Sequence, residues 1–150
     1  METEVSELID QKQIQAIIDK KIIGIYNRDE HAVLSVYAPD VVSFDLAPPL
    51  QNKGIAGIKE RLQGWFASYM GHITQKVTDV NILVNGEIAF SHSLTRTYGT
   101  SIQGEDLDMW YRTTTCYKKT SGQWLIVHEH VSDPVDFETG KVLFDLKPNN

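Results

Sequence analysis

The stretch VTDVNILVNGEIAFSHSLTRTY (77–98) holds two runs rich in β-branched and aromatic residues on either side of Asn85-Gly86. That dipeptide between extended runs is the strongest short-range hairpin signal a sequence carries. Toward the C-terminus, a loop containing Gly99 and Gly104 leads to DMWYRTTTCYKK (108–119), a further strand. Thr120-Ser121-Gly122 then turns into WLIVHEHVSDP (124–134), so four strands follow one another as a meander. The residues after it include Phe137, Val142, Leu143, Phe144 and Leu146, enough apolar surface to dock rather than dangle.

Toward the N-terminus the period changes. Ile55, Ile58, Leu62, Trp65, Phe66 and Tyr69 share one helical face, with Gly71 as a stop signal. VVSFD (41–45) predicts a strand, and Pro48-Pro49 prevents it from continuing. DEHAVLSVY (29–37) fits a short helix between Asp29 and Pro39. Val5, Leu8, Ile9, Ile14, Ile17, Ile18, Ile22 and Ile25 recur mainly at three- and four-residue steps and predict a long amphipathic helix over roughly 3–27. Helices segregated ahead of an antiparallel sheet define an α+β fold, and a curved sheet wrapped round helices leaves a cavity suited to a small molecule.

Composition narrows the function classes. The chain has 150 residues, 41% of them hydrophobic and 23% charged, with a net charge of −6. One domain spanning 1–150 is the simplest organisation. Lys20-Lys21 and Lys118-Lys119 are the only adjacent basic pairs, too little to track a phosphate backbone, so nucleic acid is not an expected partner. The start, METEVSELID, lacks the order of a signal peptide, and no apolar run approaches a membrane span. Cys116 is the single cysteine, which suits a reducing, cytoplasmic setting and reads as a packed thiol rather than a nucleophile. No Gly-rich phosphate loop or serine elbow is present, and no cofactor is expected.

Four segments resemble the NTF2-like superfamily in its SnoaL-like and ketosteroid isomerase branch: YAPDVVSFD (37–45), PPLQNKG (48–54), NGEIAF (85–90) and SGQWLIVHEHVS (121–132). The resemblance covers nearly the whole chain. It implies a cystatin-like cone, with three N-terminal helices packed on a curved, mixed or antiparallel sheet. The scaffold hosts isomerases, cyclases, dehydratases, hydrolases and non-catalytic association domains, so it specifies a fold better than a reaction.

The resemblance also assigns candidate roles. The isomerases' catalytic Asp falls on Asp45, at the end of the first strand. Their two acidic oxyanion donors fall on Lys21 and Thr114, which argues against steroid isomerisation by that mechanism. Their pocket-facing strand positions fall on Phe90, His92 and Leu94, on Trp110, Arg112 and Thr114, and on Val127, Glu129 and Val131. His128 and His130 then face the back of the sheet, where this superfamily commonly forms a homodimer. A β-bulge would change such an assignment, because one slipped residue flips every side chain.

The expected site therefore has Asp45 as general base, Arg112 holding a negative oxygen, and His92 and Glu129 orienting substrate or water. Trp110, Thr114, Trp65, Phe90 and Val127 complete its walls. A structural ion pair between Arg112 and Glu129 is the competing account of those charges. His128 and His130 would make a metal pair only with a third inward ligand, so no metal is expected. The expectation is a SnoaL-like enzyme acting on a polar or anionic small molecule by isomerase-, cyclase- or hydrolase-type chemistry. The alternative is a non-catalytic ligand-binding or oligomerisation module.

Overall fold

The computed structural model describes residues 1–149. Its elements are α1 (Glu2–Tyr26), α2 (Glu30–Leu34), β1 (Tyr37–Phe44), β2 (Asn52–Lys53), α3 (Gly54–Ala67), β3 (Tyr69–Asn85), β4 (Ile88–Ser101), β5 (Asp106–Thr120) and β6 (Gln123–Ser132). The six strands form one sheet in the order β2-β1-β6-β5-β4-β3. β3 to β6 are an antiparallel meander, β1 joins β6 in parallel, and β2 closes the edge antiparallel to β1. The three helices and the mixed sheet make the α+β architecture anticipated from the sequence.

Local chemistry explains the boundaries. Glu2 and Glu4 sit in the first turn of α1, where negative charge complements the helix dipole. Asp29 caps α2 by accepting a hydrogen bond from the Ala32 amide at 3.1 Å. The helix expected through Tyr69 instead ends at Ala67, and Tyr69 opens β3. Tertiary contact overrides the helical period here. The Ile102 amide donates to the Ser68 carbonyl, and the Tyr69 ring packs over Gly99, where a Cβ would come within 2.9 Å of it.

Both tight hairpins follow turn stereochemistry. Asn85 pairs with Ile88, so the loop residues are Gly86 and Glu87, one position later than the Asn-Gly signal implies. Gly86 has φ +63°, as a turn with glycine at its first central position requires. Thr120 pairs with Gln123, leaving Ser121 (φ 52°) and Gly122 (φ 78°) both left-handed, the type I′ arrangement.

The core lies between the helices and the inner face of the sheet. Ile14 and Ile25 from α1 and Ile58, Leu62 and Phe66 from α3 meet Val41, Ile73, Tyr117 and Ile126 from the strands. Each fully buried isoleucine contributes roughly 1.5–3 kcal/mol of transfer free energy. Beyond β6 the chain folds back through a Val135–Val142 bridge, and the Phe144 carbonyl accepts from the Trp110 amide at 2.8 Å. Among the described residues no helix is long and apolar enough to cross a membrane.

Candidate functional site

Strand register decides which side chains reach the interior. Direct cross-strand partners share a face. One row runs Ser43–Glu129–Thr115–Ser91–Ile82 from β1 to β3. Ser43, Thr115 and Ser91 in it are buried, so this row faces the helices. The next row, Phe44–His130–Thr114–His92–Asn81, therefore faces outward, as does Val42–His128–Cys116–Phe90–Leu83.

The inner face and helices α1 and α3 enclose a cavity of about 400 Å³. Its helical side is largely apolar, with Ile17, Ile18, Ile58, Leu62 and Trp65. Its sheet side is hydroxylated: Ser91, Ser93, Thr95 and Thr97 on β4 face Tyr111, Thr113, Thr115 and Tyr117 on β5. These hydroxyls pair across the strands. Ser91 meets Tyr117 at 2.9 Å, Thr95 meets Thr113 at 2.9 Å, and Thr97 meets Tyr111 at 2.7 Å. Gln75 on β3 donates to the Tyr111 oxygen at 2.9 Å. Burial pushes the Tyr111 hydroxyl up to about 12, so it stays a neutral hydrogen-bonding group near neutral pH.

Two charged clusters face this cavity. In the first, the Lys21 ammonium on α1 makes an ion pair with Glu129 on β6. The Tyr37 hydroxyl on β1 donates to both Glu129 oxygens, at 3.0 and 3.2 Å. Burial alone would lower the Lys21 ammonium, but the charge of the adjacent Glu129 outweighs it, so Lys21 is held well above the ordinary lysine range. Burial, then the neighbouring carboxylate, raises the Tyr37 phenol. The result is a charged ammonium–carboxylate pair with a neutral phenol beside it.

In the second cluster, Asp45 follows β1 and lines the cavity with Leu46 and Ala47. Its Oδ1 accepts from the Leu46 amide at 2.6 Å, and its Oδ2 lies 2.6 Å from Arg61 Nε on α3. The Nε–H has no aligned acceptor among the described residues, so this is a charge contact rather than a directed hydrogen bond.

Several expected placements require correction. Phe90, His92 and Leu94 on β4, and Trp110, Arg112 and Thr114 on β5, all stand opposite the cavity-facing set. The reason is parity: Glu129 pairs with Thr115, so the odd residues of β5 and β4 turn inward with it. Arg112 is exposed, and its Nε donates to the Ser132 hydroxyl at 3.2 Å rather than meeting Glu129. Val127 is not part of the cavity wall either. It sits at a β-bulge, where Tyr117 pairs with Ile126 while the adjacent Cys116 pairs with His128. The bulge lets Trp124 and Ile126 point inward ahead of it, and Glu129 and Val131 inward after it. Asp45, Glu129 and Trp65 are the expected site residues that the structure brings to the cavity.

His128 and His130 lie on the outer face, packing edge-on against Phe44 at 4.7 and 5.4 Å between ring centroids. His128 Nδ1 lies 2.7 Å from the Val42 carbonyl oxygen, and this hydrogen bond makes Nδ1 the protonated nitrogen of the neutral ring. Among the described residues no three His, Cys, Asp or Glu side chains gather as a metal-binding group. Burial raises the Cys116 thiol, which keeps it protonated.

The cavity residues not anticipated as functional are Arg61, Tyr37 and the β4–β5 hydroxyls. Lys21 stands where the resemblance places one of the isomerases' oxyanion donors, and nothing in its neighbourhood marks Glu129 as its partner. Arg61 had a signal: it lies three residues after Ile58 and four before Trp65, beside the buried stripe of α3. The hydroxyls had a clearer one, since SHSLTRT (91–97) carries a hydroxyl at every second position.

A family model described as a SnoaL-like domain matches residues 14–136. Among solved structures, an NTF2-like protein of unknown function from Pseudomonas putida KT2440 superposes with a TM-score of 0.86 at 30% identity, over 94% of this chain and 98% of that one. A type 2 hexachlorocyclohexane dehydrochlorinase (LinA) superposes with a TM-score of 0.75 at 16% identity, over 83% of this chain and 84% of that one. A protein of unknown function with a cystatin-like fold from Nostoc punctiforme PCC 73102 gives 0.69 at 12% identity, over 82% and 90%. The last two likenesses show the fold alone. No curated protein matches the chain. The family match across most of the sequence agrees with the helix-lined cavity on a mixed sheet, and the chain belongs to the SnoaL-like family of the NTF2-like superfamily.

Proposed function

We propose that the cavity is an active site for proton transfer on a small molecule, with Asp45 as the base. The observation that carries this reading is the Asp45–Arg61 pair, which places an oriented carboxylate beside a guanidinium on the wall of a cavity whose other charged groups, Lys21 and Glu129, are paired with each other. A carboxylate so placed takes a proton from a carbon acid, and the C–H electron pair moves onto the substrate's carbonyl oxygen. As Asp45 loses its charge, the Arg61 guanidinium becomes free to stabilise the negative oxygen that forms. Return of the proton to a different carbon completes an isomerisation, and departure of a leaving group completes an elimination.

The dehydrochlorinase among the structural neighbours supports elimination as a reaction this scaffold accommodates. The positions of the two steroid-isomerase oxyanion donors support a different oxyanion partner. Lys21 is committed to Glu129, and Thr114 faces away from the cavity. Mass spectrometry of compounds co-purifying with the protein tests the proposal. The wild type should convert such a compound, and Asp45→Asn should bind it unchanged. Equal conversion by both would remove Asp45 from the mechanism.

One observation favours a second reading, a non-catalytic binding module. Both cavity carboxylates, Asp45 and Glu129, already have cationic partners. Binding of a co-purified compound without turnover by the wild type would select it.

We also propose that two copies of the chain pair through the outer face of the sheet. Phe44, Phe90 and Leu83 stand there 37%, 42% and 52% exposed, in the same two cross-strand rows as His92, His128 and His130. Exposed aromatic and aliphatic side chains beside histidines on the open face of a sheet suit an interface between two copies.

A further inference from the structure

Among the described residues, each charge that faces the cavity is already balanced within it. Lys21 is neutralised by Glu129, and Arg61 by Asp45. The Lys21–Glu129 pair comes from two separate elements, α1 and β6, with side chains only 22% and 14% exposed, and Tyr37 on a third element is hydrogen-bonded to the same carboxylate. An entering carboxylate would have to share the Lys21 ammonium with Glu129. Two carboxylates on one ammonium in a poorly hydrated site repel one another, and one of them is left without a counter-charge. An entering cation meets the mirror problem at Glu129.

The remaining polar groups suit a neutral guest. The hydroxyls of Ser91, Ser93, Thr95, Thr113 and Thr115 line the sheet side of the cavity. A hydroxyl has one donor and two acceptor sites, so a hydroxyl already paired across the strands keeps capacity for a ligand oxygen. Opposite them, the isoleucines of α1 and the Leu62 and Trp65 side chains of α3 offer an apolar surface.

We propose that Glu129 is a specificity-determining residue: by neutralising Lys21 it restricts the cavity to uncharged ligands that present hydroxyl or carbonyl oxygens along one edge and an apolar body on the other. This rests on the reading of the cavity as a small-molecule site. It makes the ligand's charge a property of one ion pair, separable from the Asp45 chemistry. Removing either partner should then change which charge the cavity accepts, without changing its shape.

Calorimetric titration at pH 7 with three bicyclic probes of similar size tests this: uncharged 2-naphthol, anionic 2-naphthoate and cationic 2-naphthylmethylammonium. The wild type should bind 2-naphthol at least about tenfold more tightly than either ion. Glu129→Gln, which leaves Lys21 unpaired, should reverse the order in favour of 2-naphthoate. Lys21→Met, which leaves Glu129 unpaired, should favour 2-naphthylmethylammonium, and it provides an independent arm if the glutamine variant fails to fold. Wild-type binding of 2-naphthoate as tight as that of 2-naphthol, unaltered in both variants, would overturn the proposal while leaving the cavity a small-molecule site. Absence of binding by all three probes to all three proteins would overturn both.

Discussion

Asp45 and Arg61 meet on the cavity wall with Oδ2 and Nε 2.6 Å apart, although one follows β1 and the other lies on α3. This pair, rather than Arg112, brings a cation to the candidate base. Arg61→Met should therefore slow proton abstraction from a ketone probe by about a hundredfold, the usual cost of losing one stabiliser of a developing oxyanion. Arg112→Met should leave the rate within about twofold, because its side chain is exposed on the other face. Deuterium incorporation into 2-tetralone, followed by NMR, reads both.

Another ion pair ties the N-terminal half of α1 to the sheet. Asp10, only 6% exposed, accepts from the Trp124 indole at 3.0 Å and the Lys119 ammonium at 3.0 Å. Burial alone would raise its carboxyl, but the Trp124 hydrogen bond and then Lys119 outweigh it and hold the carboxyl below the ordinary value of 3.8. A lowered carboxyl stabilises the fold above the unfolded value and loses that contribution as pH falls through the folded value. Asp10→Ala should cost about 1–3 kcal/mol at pH 7, since the buried Trp124 indole loses its acceptor, and the difference from wild type should shrink below pH 4. Urea denaturation at pH 7 and pH 3 measures it.

Asp133 behaves in the opposite sense. Its Oδ2 is buried without a partner among the described residues. Burial, only partly offset by Arg112, raises its carboxyl to about 6. The folded protein therefore holds this proton more tightly than the unfolded chain, and stability falls as pH rises from about 4 to about 6. Asp133→Asn should stabilise the protein by about 1 kcal/mol at pH 7.5 and leave it unchanged below pH 4. A set of thermal melts across that interval should show the two curves converging in acid.

The outer face of the sheet carries the dimer proposal. Phe90 and Leu83 are direct cross-strand neighbours and both are exposed in the single chain. Phe90→Lys should convert a dimer to a monomer while changing the unfolding free energy of the single chain by no more than about 1 kcal/mol, because the substitution leaves the cavity and core untouched. Sedimentation velocity distinguishes the species. A wild type that sediments as a monomer would refute the proposed pairing.

The architecture was legible where one residue pattern served one surface. Isoleucines at helical spacing marked α1, and β-branched runs separated by turn residues marked the meander. Asp45 and Glu129 were assigned to the cavity by the family resemblance, carried over at the end of β1 and along β6, and both line it. Parity across strands was not local. The inward set on β4 and β5 depends on pairing with β6, and the bulge at Val127 changes the phase of β6 partway along. A single unmatched residue thus explains why Trp124, Ile126 and Glu129 share a face while His128 does not. The hydroxyl alternation from Ser91 to Thr97 held the missing information, but only as a polar pattern, and polar alternation normally marks the solvent side of a sheet. Arg61 shows only as one cation beside the apolar stripe of α3, where a helical cation is ordinarily a solvated flank.

The central claim is that Asp45 abstracts a proton from a ligand held in this cavity. The most direct measurement is the rate of deuterium incorporation at the α-carbons of 2-tetralone in D2O, for the wild type and for Asp45→Asn, each corrected for the buffer rate. The amide preserves size and can still accept the Leu46 hydrogen bond, but it is a poor base. The account predicts exchange by the wild type above the buffer rate and a loss of about a hundredfold or more in Asp45→Asn, which should still unfold in one cooperative transition. Equal exchange by the two proteins, or none above buffer by the wild type, would contradict it.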